Sequence, residues 1–214
     1  MPLIPLHEPA DAVADMVRRR VPLPSGTDPA PDGTRPVLPP GRPLQEVLAG
    51  RVSVRRFTDE PVARAELAAV LARARVAQRD QWPSAVHGDP GLRLLVAARH
   101  VSGLAAGLYD WPAADEPRPL GHRPPPETLT ETYTRAPALV LVCGSVTRAA
   151  GAAAGGLLVR AGGLGYAVWL AARTHGLECS AYGAAWAPAR RALATTAGTT
   201  RHLFTVAIGH PAPR

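Results

Sequence analysis

The clearest chemistry in this sequence lies in one short segment, R-V-S-V-R-R-F, where Arg51, Ser53 and Arg55 occupy alternate positions. In an extended turn, alternate side chains point the same way, so two guanidiniums and a hydroxyl are expected to converge on one anion. A charge-assisted hydrogen bond to a phosphate oxygen contributes about 1.5–3 kcal/mol, enough for this trio to anchor a phosphate monoester without a Walker or dinucleotide loop. Taken alone, the spacing also describes an ordinary solvated basic turn. The remaining candidates are scattered. Pro83 and Ser84 open a loop that holds His87, whose type suits acid or base work near neutral pH. His175 falls near the end of a long helical stretch, where a cation caps the carbonyl end. The G-G-L-G run at 162–165 lies inside that stretch and follows no strand, so it is not read as a dinucleotide loop.

The elements that must carry these residues can be read from periodicity. Residues 1–43 are dense in Pro and Gly and are read as an arm, with a short helical candidate at Ala10 to Arg20. From Leu44 to Val76 the pattern is helical in two pieces joined by R-V-S-V-R-R-F-T-D-E-P-V, with Leu67, Val70, Leu71 and Ala74 on one face and Pro61 suited to a first turn. Three apolar runs, Leu92 to Ala98, Ala138 to Cys143 and Leu203 to Ile208, read as strands too continuously apolar for a half-wetted sheet. A helix is expected over Gly155 to His175, with Leu157, Ala161, Leu164, Val168 and Ala172 on its apolar face. Its glycines are expected where another backbone comes close, which places it at the centre of a dimer. The segment 112–135 is a polar, proline-rich connection.

Composition narrows the class. With 214 residues and 46% apolar content, the chain suits one compact domain, 44–214, behind the arm. No run of about 18 uncharged apolar residues and no basic-then-apolar leader is present, so a cytoplasmic protein with no membrane partner is expected. The two cysteines, Cys143 and Cys179, are far apart with no metal-ligand spacing, and read as buried reduced thiols; no metal site is expected. The net charge of +7 comes mostly from scattered arginines without a basic stripe, so an anionic cofactor or acidic peptide fits better than nucleic acid.

The stretch R-V-S-V-R-R-F-T-D-E-P-V-A-R-A-E-L-A-A-V-L closely resembles the opening signature of the nitroreductase superfamily. W-P-S-A-V-H-G-D-P-G-L-R-L-L-V-A-A-R-H-V-S-G-L with G-L-Y-D-W is similar to the SagB-type dehydrogenases within it. A-G-G-L-G-Y-A-V-W-L-A-A-R-T-H-G-L resembles the family's long dimer helix, and L-F-T-V-A-I-G-H-P its closing strand and turn. The resemblance covers about residues 44 to 214. It implies an α+β fold, with a central, mostly antiparallel sheet flanked by helices, and an intertwined homodimer holding FMN. By the same resemblance, Arg51, Ser53 and Arg55 bind the FMN phosphate, with Arg214 a third basic contact. Pro83 and Ser84 lie along the flavin ring, and a loop at Ala181, Tyr182 and Gly183 passes near its pyrimidine end.

The implied activity is dehydrogenation of thiazolines or oxazolines in a ribosomally made peptide, with a cyclodehydratase as a possible biosynthetic partner. The family's Lys-Tyr pair is replaced by Arg148 and Ala149, its acidic residue by Arg160, and a glutamine-like position by Tyr166. Arginine stays protonated and is a poor base. His87, Arg148 and Tyr182 are the candidates left for proton transfer. A catalytically silent subunit of the same fold that binds a peptide or a partner enzyme, and an NAD(P)H-fed nitro- or quinone-reductase, are the alternative readings.

Overall fold

The structure, a computed structural model, describes residues 42–112, 116–120, 133–145, 153–183 and 200–213. The arm helix expected at 10–20, Arg148 with Ala149, and Arg214 lie outside the described residues. In chain order the elements are α1 (Leu44–Ala49), β1 (Val62–Ala63), α2 (Arg64–Gln81), α3 (Ser84–His87), β2 (Arg93–Ala98), β3 (Val101–Ser102), β4 (Gly107–Asp110), β5 (Arg118–Pro119), β6 (Ala138–Ser145), α4 (Ala153–Thr174), β7 (Glu178–Tyr182) and β8 (Thr200–Gly209).

Six strands form one sheet in the order β5-β4-β2-β6-β8-β7, every neighbouring pair antiparallel. The two residues of β1 pair in parallel with β3 apart from it. The continuous apolar character of β2 and β6 has a direct cause, because both faces of the sheet are covered. Along β6, Ala138, Val140 and Val142 enter one apolar cluster, and Leu139, Leu141 and Cys143 enter the other. The first cluster also takes Leu67, Val70, Leu71 and Ala74 of α2 and Ala161, Leu164, Val168 and Ala172 of α4. On the opposite face Phe57, Leu120, Tyr133 and Tyr182 pack over Leu95, Leu139 and Leu141. Both cysteines are free and buried, and burial pushes the Cys143 thiol up to about 12.

Three local expectations differ from what is observed. Pro61 does not open α2: the Val62 amide donates to the His100 carbonyl, β1 forms there, and the helix starts at Arg64. Ala181 and Tyr182, expected in a loop with Gly183, instead end strand β7, paired with β8 from Glu178–Gly209 to Tyr182–Thr205. Two of the glycines of α4 make room for rings of the same chain. A Cβ on Gly163 would meet Trp82 at 2.8 Å, and one on Gly165 would run into the Phe204 ring; at Gly156 and Gly162 the space is open among the described residues. Gly165→Ala is therefore expected to destabilise by about 1–3 kcal/mol through overpacking against Phe204, despite alanine's better helix propensity. Thermal unfolding measures this, and an unchanged or raised Tm would mean that Phe204 swings aside freely.

Among the described residues no helix is long and apolar enough to cross a membrane.

Candidate functional site

The basic segment is held in place by backbone bonds at both of its ends. α1 stops at Gly50, whose amide donates to Glu46 O, and Gly50 has no room for a side chain because Arg173 Nη2 lies 2.8 Å from where a Cβ would sit. The chain then runs extended along the ends of β7 and β8. Val54 N donates to Cys179 O, Ala212 N to Arg56 O and Thr58 N to His210 O, and Phe57 bridges Pro211. Thr134 Oγ1 donates to Arg55 O at 2.7 Å, tying the segment to the turn before β6.

A cavity of about 470 Å³ opens along this segment, bordered by Ser53, Arg55, Arg56, Glu178, Pro211 and Pro213. Arg55 and Arg56 are exposed, and neither joins an ion pair among the described residues. Two guanidiniums with no ion pair among the described residues and a hydroxyl on one open groove make a donor set for a phosphate monoester.

The expected convergence of Arg51, Ser53 and Arg55 is only partly found. Ser53 and Arg55 line the groove, but Arg51 does not; its guanidinium carbon lies over the Trp169 ring at 5.0 Å and the Tyr166 ring at 5.6 Å. Alternation fails because the strand-like segment bonds to different neighbours on its two sides, and α4 offers Arg51 a pair of aromatic faces. Cation–π contacts of this kind contribute about 0.5–2 kcal/mol. Tyr166, at the glutamine-like position, thus anchors the start of the segment. Arg56 takes Arg51's place on the groove, and its adjacency to Arg55 in R-R-F was the sequence signal for it.

Pro83 and Ser84 are not brought to this groove within one chain. Ser84 is buried at the start of α3 and lines a separate cavity of about 340 Å³, with Arg75, Trp82, Arg93 and Arg160 among its walls and no lining residue shared with the first. Arg160, standing where the family pattern has an acid, is itself buried, and its Nη1 donates to His87 O at 3.2 Å and Gly88 O at 2.8 Å. It thereby fixes the loop that carries Ser84. Arg75 donates to the Trp111 carbonyl, and burial lowers its guanidinium to about 10, against the opposing pull of Asp110. Arg93 and Asp110 pair at 2.7 Å. His87 is exposed on α3, and the turn of His175 is closed by backbone bonds, His175 N to Ala172 O and Gly176 N to Arg173 O.

Ala181 and Tyr182 end β7, with Gly183 just beyond. Tyr182 packs against Tyr133 with ring centroids 5.0 Å apart, and its phenol oxygen accepts from Ser180 Oγ at 3.1 Å. Among the described residues no group of three or more His, Cys, Asp or Glu side chains is gathered as a metal site would need.

Comparison with known proteins agrees with this architecture. Among solved structures, the chain resembles a nitroreductase-type protein from Anabaena variabilis with a TM-score of 0.66 at 22% identity, covering 79% of this chain and 38% of that one. A nitroreductase-type protein from Ralstonia eutropha aligns with a TM-score of 0.64 at 18% identity, over 91% of this chain and 96% of that one. Nitroreductase A of Vibrio parahaemolyticus aligns at 0.51 and 16% identity, over 79% and 68%. At these identities the likeness is one of fold, and this chain spans well under half of the Anabaena protein. No curated protein matches the sequence. The family model for the nitroreductase family matches residues 48–210, which takes in the basic segment, the cavity at Ser84 and the whole sheet: the chain belongs to the nitroreductase family, a family of oxidoreductases.

Proposed function

We propose that this chain is an FMN-dependent oxidoreductase of the SagB type, which works as a homodimer and dehydrogenates azoline rings in a ribosomally made peptide. The observation that carries the reading is the groove of Ser53, Arg55 and Arg56, whose cations have no carboxylate partner among the described residues. That donor set fits the phosphate of FMN, and the cavity continues beside Pro211 and Pro213. Bound FMN would supply hydride acceptance; the protein's part is to hold the substrate and take up a proton.

Leu158, Val159 and Tyr166 are exposed on α4 at helical spacing around Gly162, beside which nothing lies within 4 Å. An apolar stripe centred on a glycine suits a second copy of the same helix. Azolines arise by cyclodehydration of Cys, Ser or Thr side chains onto the peptide backbone, so a cyclodehydratase would supply the substrate.

Purification is the first test. The protein is expected to be yellow and to release FMN on denaturation, and anaerobic mixing with a synthetic thiazoline peptide is expected to bleach the flavin while producing a thiazole. A colourless protein that takes up no added FMN would leave the silent-subunit reading standing. Bleaching by NAD(P)H but not by the thiazoline peptide would move the function to reduction of nitro compounds or quinones.

A further inference from the structure

A β-bulge decides which side chains meet on the face of the sheet turned away from α2 and α4. The register of β6 and β8 shifts between Val142 and Cys143: Val142 pairs with Phe204 and Cys143 with His202, leaving Leu203 as the extra residue. In a regular strand His202 and Thr205, three residues apart, would face opposite sides. The bulge sets Thr205 against Leu141 and His202 against Cys143, two residues of the same face, so both side chains stand together.

His202 Nε2 consequently lies 2.7 Å from Thr205 Oγ1 and 3.0 Å from Phe204 O. The Thr205 hydroxyl is hydrogen-bonded in turn to the Tyr133 phenol. The chain of groups therefore runs from the fully buried Thr205 and His202 out to Tyr133, which is half-buried. Its outer end is joined to the basic segment through the neighbouring residue. Thr134, the next residue, holds the Arg55 carbonyl, and Phe57 shares an apolar cluster with Tyr133 and Tyr182.

We propose that Tyr133, Thr205 and His202 form a proton relay that takes up the proton released from substrate at the flavin site, an inference that rests on the FMN-dehydrogenase reading above. In azoline dehydrogenation one hydrogen leaves the ring with its bonding electron pair, as the hydride that FMN accepts. The other leaves as a proton, and its electron pair becomes the new ring double bond. That proton goes to the Tyr133 oxygen, the phenol's own proton to the Thr205 oxygen, and the Thr205 proton to His202 Nε2. The Phe204 carbonyl then accepts from the new Nε2–H, while Nδ1 is buried without a partner among the described residues.

Burial lowers the His202 pKa, so the imidazole is neutral at neutral pH, and the relay uses its Nδ1–H tautomer, in which Nε2 carries the lone pair that accepts. Among the described residues, the titratable groups nearest it are the Tyr133 phenol, edge-on at 6.5 Å, and the Cys143 thiol on the paired strand β6, and burial raises both; Tyr182 stands beside Tyr133, and the Arg93–Asp110 ion pair lies beyond Cys143 on β2 and β4. A relay through this histidine supplies the proton acceptor that Arg148 and Ala149 do not.

The test uses Tyr133→Phe and the near-isosteric Thr205→Val, each checked for FMN content and Tm. With the thiazoline peptide, kcat is expected to fall about 100-fold in either variant with KM little changed. The wild-type profile should lose activity as pH falls below the ordinary histidine range, because a protonated His202 accepts nothing, and the variants should lack that limb. A second readout needs no flavin: nitrogen NMR of the FMN-free protein should find His202 titrating below its ordinary range, with the midpoint shifted in both variants. Variants with kcat and the acidic limb intact would overturn the relay. So would a His202 that does not titrate between about pH 4 and 8, or one whose titration neither variant moves, whatever the flavin does. A wild-type protein without FMN defeats the functional reading instead, and the NMR arm then decides the relay by itself.

Discussion

Replacing Arg55 and Arg56 together by alanine is expected to weaken FMN binding by about 10²- to 10⁴-fold, the equivalent of about 3–6 kcal/mol for two charge-assisted bonds to phosphate. Both guanidiniums border the groove, and neither is committed to a carboxylate among the described residues, so their donors are available to a ligand. Arg51→Ala is expected to act differently. Its guanidinium lies over Trp169 and Tyr166, and losing that stacking removes about 0.5–2 kcal/mol of support for the turn without removing a groove cation. Its effect should appear in Tm first and in FMN affinity by less than about tenfold. Titration of the apoprotein with FMN, followed by quenching of flavin fluorescence, separates the two. Wild-type affinity should also fall with added salt more steeply than that of the double variant, because fewer phosphate contacts remain to be screened. A double variant that binds within about threefold of wild type would remove the groove from the functional argument. A larger loss from Arg51→Ala than from the pair would return Arg51 to the phosphate.

That contrast also marks how far the sequence could be read. Leu67, Val70, Leu71 and Ala74 announced α2, and Leu157, Ala161, Leu164, Val168 and Ala172 announced α4, because burial against the sheet imposes helical spacing on apolar residues. β2 and β6 were equally plain, since a strand covered on both faces is apolar throughout. β7 was not: Glu-Cys-Ser-Ala-Tyr mixes a carboxylate, a thiol and a hydroxyl, and its strand state is set by pairing with β8. The direction of the Arg51 side chain was also beyond a local pattern, because it depends on Tyr166 and Trp169 more than a hundred residues away. The same holds for the groove, whose far wall comes from Pro211 and Pro213. The glycines of α4 were noticed, but the rings that need their space, Trp82 and Phe204, come from other elements. No composition rule reveals the extra residue at Leu203, so the meeting of His202 with Thr205 is legible only in the register of two strands.

The largest expected loss of stability comes from Arg173→Met. Arg173 ends α4, is buried, and pairs with Glu178 of β7 at 3.4 Å, while its Nη2 fills the space that a side chain at Gly50 would need. The pair is imperfectly satisfied: Arg173 Nε and Nη1 and Glu178 Oε2 are buried without hydrogen-bond partners among the described residues. Burial raises the Glu178 pKa, and the opposing pull comes first from Arg173 and then from Arg42. Removing the guanidinium leaves a mostly buried carboxylate without its nearest cation, a change that costs about 3–5 kcal/mol for fully buried pairs and about 2–3 kcal/mol here, where Glu178 keeps some solvent contact. For a domain of this size that is a fall in Tm of about 4–12 °C. The pH dependence has a definite sign. A carboxyl whose folded pKa lies above its unfolded value contributes stability at low pH, and that contribution is lost as pH rises through the folded pKa. Arg173→Met raises the folded Glu178 pKa further, so the Tm deficit against wild type should be smaller near pH 5 and larger near pH 8. Adding Glu178→Leu should recover much of the loss, because the orphaned charge is then gone. A deficit that is flat with pH, or a double variant no more stable than Arg173→Met, would mean that Arg173 acts by filling the space beside Gly50 and not by neutralising Glu178.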